Sequence, residues 1–265
     1  MPWTLLRGAG VTLLVAWFVL PFVPILLWAF ADRWPSVGSG SGVLPDWGLT
    51  GWPQALDAGI LAALARSAAL GLVVAVIATP LGALAGRALG WRIGRRLGIP
   101  AALILAPVAL PPFALAMGLD VVLLRLGIPQ TMAVVVLLTV FALPYTTYVL
   151  RSAYAGLDAQ VEDQARMLGA SRWQAIRSVT LPALAPALSA AAALAFLVGW
   201  SDYVVTVVIG GGRLVTAPVL VASSAAGTGS DPLVAVLSLA VVLPLLATVG
   251  LSAVLARRSV GAGLR

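Results

Sequence analysis

Residues 151–182 read RSAYAGLDAQVEDQARMLGASRWQAIRSVTLP, and the whole chain is read outward from them. The stretch carries four arginines (Arg151, Arg166, Arg172, Arg177) and three acids (Asp158, Glu162, Asp163), with long apolar segments on either side. A polar, helix-prone insert between two such segments must face water. Helix–helix connectors usually run about 2–8 residues, so an insert of this length is expected to bind something. Asp158 is placed to cap a helix, because its carboxylate can accept from free N–H groups of the first turn. Glu162 and Asp163 fall early in that helix, where the dipole favours negative charge. Glu162 and Arg166 have the i,i+4 spacing of an ion pair. Val161, Ala165 and Leu168 form a short apolar stripe. Gly169 is expected to stop the helix in a left-handed conformation. Ser171 then caps a second helix over 172–178, and Thr180-Leu181-Pro182 ends it and starts the next membrane span. The expected unit is helix, sharp turn, helix, suited to passing a rigid-body motion from a bound partner into a membrane bundle.

The flanking composition supports a membrane setting. The chain is 61% hydrophobic and 9% charged, with a mean hydropathy of +1.06. Soluble domains carry about 25% charged residues, so an integral membrane protein is expected, in contact with lipid. About 20 apolar residues span a bilayer. Six such spans are read, over 8–31, 58–86, 99–119, 131–150, 183–205 and 232–256. Ala29-Phe30-Ala31 resembles a signal-peptidase site, but the apolar run before it exceeds a signal core and contains Pro21 and Pro24, so it is kept as a span. The fold class is therefore all-α and polytopic. Residues 1–57 form an N-terminal span and external loop, 58–256 the main transmembrane domain, and 257–265 a tail.

Charge orients these spans. Arg87, Arg92, Arg95 and Arg96 cluster after the second span without an acid, as positive-inside turns do. With both termini inside, twelve of the sixteen arginines face the cytoplasm, and so does 151–182. Asp120 and Arg125 then lie in a short external loop, and Trp34, Trp47 and Trp52 in an external loop at the membrane interface. Distribution of the basic residues in loops between spans argues against nucleic acid as partner. There is no cysteine, histidine or lysine. A metal site is not expected, and no Walker-type phosphate loop can be completed. No catalytic dyad is present, so the chain is not expected to be an enzyme.

The loop resembles the EAA loop of binding-protein-dependent (type I) ABC importer permeases. Asp163, Gln164 and Ala165 fall on E-A-A, Gly169 with Ala170 and Ser171 on the glycine turn, Val179 on an isoleucine, and Leu181-Pro182 on Leu-Pro. Asp replaces Glu, with Glu162 adjacent, which leaves open which of the two serves as the family's acid. SAALGLVVAVIATPLGALAGRAL, LILAPVALPPFALAMGL and AFLVGWSDYVVTVVIGGG are similar to core segments of the polyamine, thiamine and iron permease branch. The resemblance implies a bacterial cytoplasmic-membrane subunit in which the loop docks on a cytoplasmic ATPase. It further implies two ATPases that bind the ATP, a second permease and an external solute-binding protein. The solute would be a polyamine, thiamine or ferric iron, moved by alternating access. No cofactor is implied for this chain itself.

Pathway candidates come from the spans. Pro107, Pro111 and Pro112 remove backbone donors and so form either a hinge or solute-lining segment, or a packing kink. Arg66 and Asp202 are ionisable residues near span ends. They could pair, Asp202 could attract a cationic solute, or both could sit at the interface. An ion-coupled secondary transporter or channel using Asp202 is the alternative function.

Overall fold

The computed structural model describes residues 2–34, 44–91, 98–227 and 231–262. Residues 35–43 of the expected external loop, Arg92, Arg95 and Arg96 of the expected cytoplasmic turn, and Arg265 of the tail lie outside the described residues. In chain order the elements are α1 (Pro2–Val19), α2 (Phe22–Ala29), β1 (Ala31–Arg33), β2 (Asp46–Trp47), α3 (Gly51–Asp57), α4 (Ile60–Trp91), α5 (Gly98–Ala109), α6 (Pro112–Arg125), α7 (Gln130–Ala155), α8 (Ala159–Met167) and α9 (Arg172–Ala175). A π-helical turn (Ile176–Thr180) leads into α10 (Leu181–Ser201), followed by α11 (Val204–Gly210), α12 (Ala217–Ala226) and α13 (Asp231–Ala262). Among the described residues, four stretches are long and apolar enough to cross a membrane: Ile60–Trp91, Gln130–Ala155, Arg172–Ser201 and Asp231–Thr248. Two bent helix pairs raise the number to six if each pair is one span.

Those bent pairs correct two expected spans. The first is not straight: α1 and α2 meet at 43°. Pro21 and Pro24 lack the N–H groups a continuous ladder would use there. The third is broken at Leu110-Pro111, where the flanking helices turn by 105°. Pro111 has ψ 126°, because the ring of Pro112 disfavours the helical region for the residue before it. Asp120 and Arg125, expected in an external loop, lie within α6. The expected tail begins as helix, since α13 runs to Ala262. The fifth span, expected to run to 205, ends as α10 at Ser201, and α11 and α12 follow it.

The chain divides into two compact units. One comprises 1–64 and 217–244, with a core of Ala29, Ala55, Ile60, Ala235, Val236 and Leu237. It holds the antiparallel β1–β2 pair, with Ala31 opposite Trp47 and Arg33 opposite Asp46. Asp32 accepts hydrogen bonds from the Thr50 amide (3.0 Å) and hydroxyl (2.7 Å) beside that pair.

The other unit comprises 65–216 and 245–265 and holds the candidate site. Leu70, Val74 and Ala78 recur along one face of α4 and join Val134, Leu137, Leu138 and Ala142 of α7 in a core with Ala195 of α10 and Ile209 of α11. Toward its C-terminal end α4 meets α7 backbone to backbone. A Cβ at Gly86 would lie 2.8 Å from the Arg151 amide nitrogen, and one at Gly90 2.8 Å from Tyr154 Cβ. Small residues at this spacing allow the close approach that membrane helices use in place of a hydrophobic driving force. The same contact sets Arg87 and Trp91 beside the start of the 151–182 stretch.

Candidate functional site

Local sequence builds α8 as expected at both ends. The Asp158 carboxylate accepts from the Gln160 amide at 2.9 Å. Gly169 has φ +92°, with its amide on the Arg166 carbonyl (3.0 Å) and the Ala170 amide on the Ala165 carbonyl (3.1 Å). These two bonds make a Schellman motif, which satisfies carbonyls the helix end would otherwise leave open. Ser171 and Gln174 then form a reciprocal capping box, 2.8 and 3.3 Å, at the start of α9.

Two expectations for the loop change. The second helix does not stop at Thr180-Leu181-Pro182. It continues from Arg172 to Ser201 as one 30-residue helix. Pro182 cannot donate and would crowd the carbonyl four residues earlier in a regular helix. The π turn resolves this: it widens the ladder just before the proline, with the Leu181 amide bonded to the Ile176 carbonyl. The ion pairs also differ. Glu162 does not pair with Arg166. Its two carboxylate oxygens accept from Arg87 Nη2 at 2.8 and 3.0 Å, and Oε2 accepts from the Thr180 hydroxyl at 3.3 Å. Arg166 instead lies 3.6 Å from Asp163.

The two adjacent acids therefore occupy opposite environments. Glu162 is buried at 7% exposure, whereas the Asp163 side chain is 70% exposed. Met167 (81%), Leu168 (90%) and Trp173 (66%) are exposed apolar residues around the Gly169 turn. Ala165 and Ala170 are half-buried, and Gly169 and Ser171 are exposed. Leu181 and Pro182 are exposed on α10, beyond the π turn. Neither Arg87 nor Thr180 was expected as a functional partner: each is separated in sequence from Glu162, and no spacing rule connects them.

The pathway candidates separate. Pro107, Pro112 and Asp202 line one cavity of about 400 Å³, with Tyr145 of α7, Ser201 and Tyr203. Pro111 sits in the break beside it. Arg66 does not line that cavity; its Nη1 donates to the Val215 carbonyl at 3.1 Å. Asp202 accepts from the Val205 amide (3.3 Å) and from the Thr206 amide and hydroxyl (both 2.8 Å), capping α11. Arg66 and Asp202 thus have different partners, and no ion pair joins them.

The chain as a whole is similar to known proteins. Residues 78–260 match the profile of the family described as "Binding-protein-dependent transport system inner membrane component". The chain is 34% identical over 166 residues to the trehalose transport system permease protein SugB of Mycobacterium tuberculosis (strain CDC 1551 / Oshkosh). That match covers 61% of this chain and 60% of SugB. The spermidine/putrescine transport system permease protein PotC of Escherichia coli (strain K12) is 26% identical over 205 residues, covering 76% of this chain and 75% of PotC. A chain in the crystal structure of a bacterial ABC transporter involved in the import of the acidic polysaccharide alginate shares the fold. Its TM-score is 0.68 at 17% identity, with 94% of both chains covered.

Proposed function

The chain belongs to the family of binding-protein-dependent transport system inner membrane components, and from that premise we propose that it is the membrane-spanning permease subunit of an ATP-driven importer. The observation that carries this reading is the 158–175 unit. It has a capped helix, a left-handed glycine turn and a second capped helix, with Met167, Leu168 and Trp173 exposed around the turn. Exposed apolar side chains on a polar unit suit a partner groove rather than water. The partner proposed is a cytoplasmic ATPase that binds the ATP, one on each of two permease subunits, with an external binding protein delivering solute. This chain holds no cofactor of its own in that scheme. The π turn joins α9 of the docking unit to α10 within one continuous 30-residue helix, so a push on α8 and α9 tilts α10. The spans thereby alternate between inward- and outward-open states. The arginine distribution supports a bacterial cytoplasmic membrane with both termini inside.

For the solute, the proposal is a small molecule bearing positive charge, such as a polyamine, thiamine or ferric iron. Asp202 and the phenols of Tyr145 and Tyr203 line the cavity at the α5–α6 break. A carboxylate beside aromatic rings suits a cation. Arg66, which would repel one, is bound elsewhere. The experiment is uptake into proteoliposomes, using radiolabelled spermidine as probe. ATP-dependent uptake is expected only when the ATPases, second permease and binding protein are present. Uptake by this chain alone, driven by an ion gradient, would instead support a secondary transporter. In the full complex Gly169→Leu is expected to lower ATP-dependent uptake about tenfold, because a side chain at φ +92° costs about 1–2 kcal/mol and re-aims the turn. Normal uptake by an assembled Gly169→Leu complex counts against the docking role.

A further inference from the structure

Glu162 sits on α8, yet its strongest partner lies 75 residues earlier, at the C-terminal end of α4. α4 is not a neighbour of the docking unit along the chain. α8 is joined through 156–158 to α7, and through 168–171 to α9. A displacement of α8 reaches α4 by way of α7, which packs on it, and directly through the contact that Arg87 makes with Glu162. Its guanidinium holds both Glu162 oxygens at 2.8 and 3.0 Å and lies 4.5 Å over the Trp91 ring. The Trp91 indole N–H donates to the Tyr154 carbonyl at 2.9 Å, tying the same end of α4 to α7. The side chains of Arg87 and Glu162 are 23% and 9% exposed, so salt screens the pair weakly. A cleft of about 290 Å³, lined by both residues with Asp163, Arg166 and Arg172, opens beside it. The pair sits at the rim of the docking unit rather than deep in the bundle.

We propose that Arg87 is a positioning residue that locks α8 to α4, so that the motion of the docking unit is carried into α4 as well as into α10. Glu162 is then the internal acid of the loop, and Asp163 the one presented to the partner. The inference rests on the reading of 158–175 as an ATPase dock. Its distinct content is the route: a charge-assisted contact from one guanidinium nitrogen to both carboxylate oxygens, between two elements distant in sequence.

The chain lacks cysteine, so spin labels can be placed singly. Leu84→Cys on exposed α4 surface and Gln164→Cys on α8 report the distance between the elements in the assembled complex, without nucleotide and with ATP plus vanadate. In the otherwise unchanged chain that distance is expected to hold within about 2 Å between states. With Arg87→Gln or Glu162→Gln it is expected to shift or broaden by about 5 Å, one helical turn, in the vanadate state. The charge-reversed pair Arg87→Glu with Glu162→Arg should restore a narrow distribution better than either single change, which a purely space-filling role would not produce. Arg87→Lys keeps the charge but loses the planar guanidinium that lies over Trp91, and should fall between; it also serves if Arg87→Gln fails to assemble. A distance in the unchanged chain that moves with nucleotide, no effect of Arg87→Gln, or a reversal no better than the singles overturns the inference alone. If no ABC ATPase co-purifies with the unchanged chain, the function reading falls and takes this inference with it.

Discussion

At the scale of single residues, two neighbouring acids are separated by one step of helix rotation. A step of about 100° turns Glu162 toward Arg87 and Thr180 and leaves Asp163 facing water. Their substitutions should therefore separate stability from docking. Glu162→Gln leaves the Arg87 guanidinium without its counter-charge in a part-buried site. Removing one partner of a buried pair costs about 3–5 kcal/mol, and partial exposure brings that to roughly 2–3. Asp163→Asn on the exposed face should change stability by about 0.5 kcal/mol or less while weakening co-purification of the ATPase. Thermal unfolding in detergent and pull-down, measured on both variants, check this; equal destabilisation by the two would contradict it. Sequence alone made the caps legible, because Asp158, Gly169 and Ser171 act within a few residues of themselves. It did not reveal the Arg87 contact. Spacing rules assign Glu162 the nearest arginine on its own helix, and only tertiary packing of α4 on α7 brings a better-placed one.

At the scale of elements, proline placement was legible but its consequence was not. Pro111 and Pro112 marked the third span as irregular; the 105° turn between α5 and α6 depends on both flanking helices finding packing partners. Likewise Pro182 looked like a helix boundary, since a proline commonly ends or kinks a helical pattern. The chain instead inserts a π turn and keeps going. A π turn holds one residue more than the α ladder needs. Deleting Ser178 within it should return the segment to α geometry with little change in the face that α10 presents. The same deletion at buried Ala191 would rotate every later side chain of α10 by about 100°. The Ser178 deletion is therefore expected to retain expression and a cooperative thermal transition, while the Ala191 deletion loses both. Similar losses for the two would mean that the π turn is not a spare residue.

At the scale of the whole molecule, hydropathy marks which stretches can enter the membrane, and the positive-inside rule gives the orientation expected of them. The four long apolar helices follow from composition alone, because every backbone group in lipid must be bonded within its own helix. The two broken pairs, the short α11 and α12 and the two-stranded β1–β2 pair do not follow from it, since hydropathy carries neither the backbone effect of a proline nor the local cap at Asp202 nor the pairing of Ala31 with Trp47. The expected orientation rests on the arginines at the ends of the spans and between them, including Arg87 at the end of α4 and the four of 151–182. The reading places 151–182 inside and 32–57 outside, and the absence of cysteine makes this directly measurable. Gln164→Cys lies on exposed α8 surface, and Trp47→Cys replaces a side chain that is 60% exposed. A membrane-impermeant maleimide should label Trp47→Cys in right-side-out vesicles and Gln164→Cys only in inside-out ones. The reverse pattern would put the docking unit on the face without ATP and remove the basis for an ATPase partner. Labelling of Gln164→Cys that falls when purified ATPase is added to inside-out vesicles would join orientation to docking in one measurement.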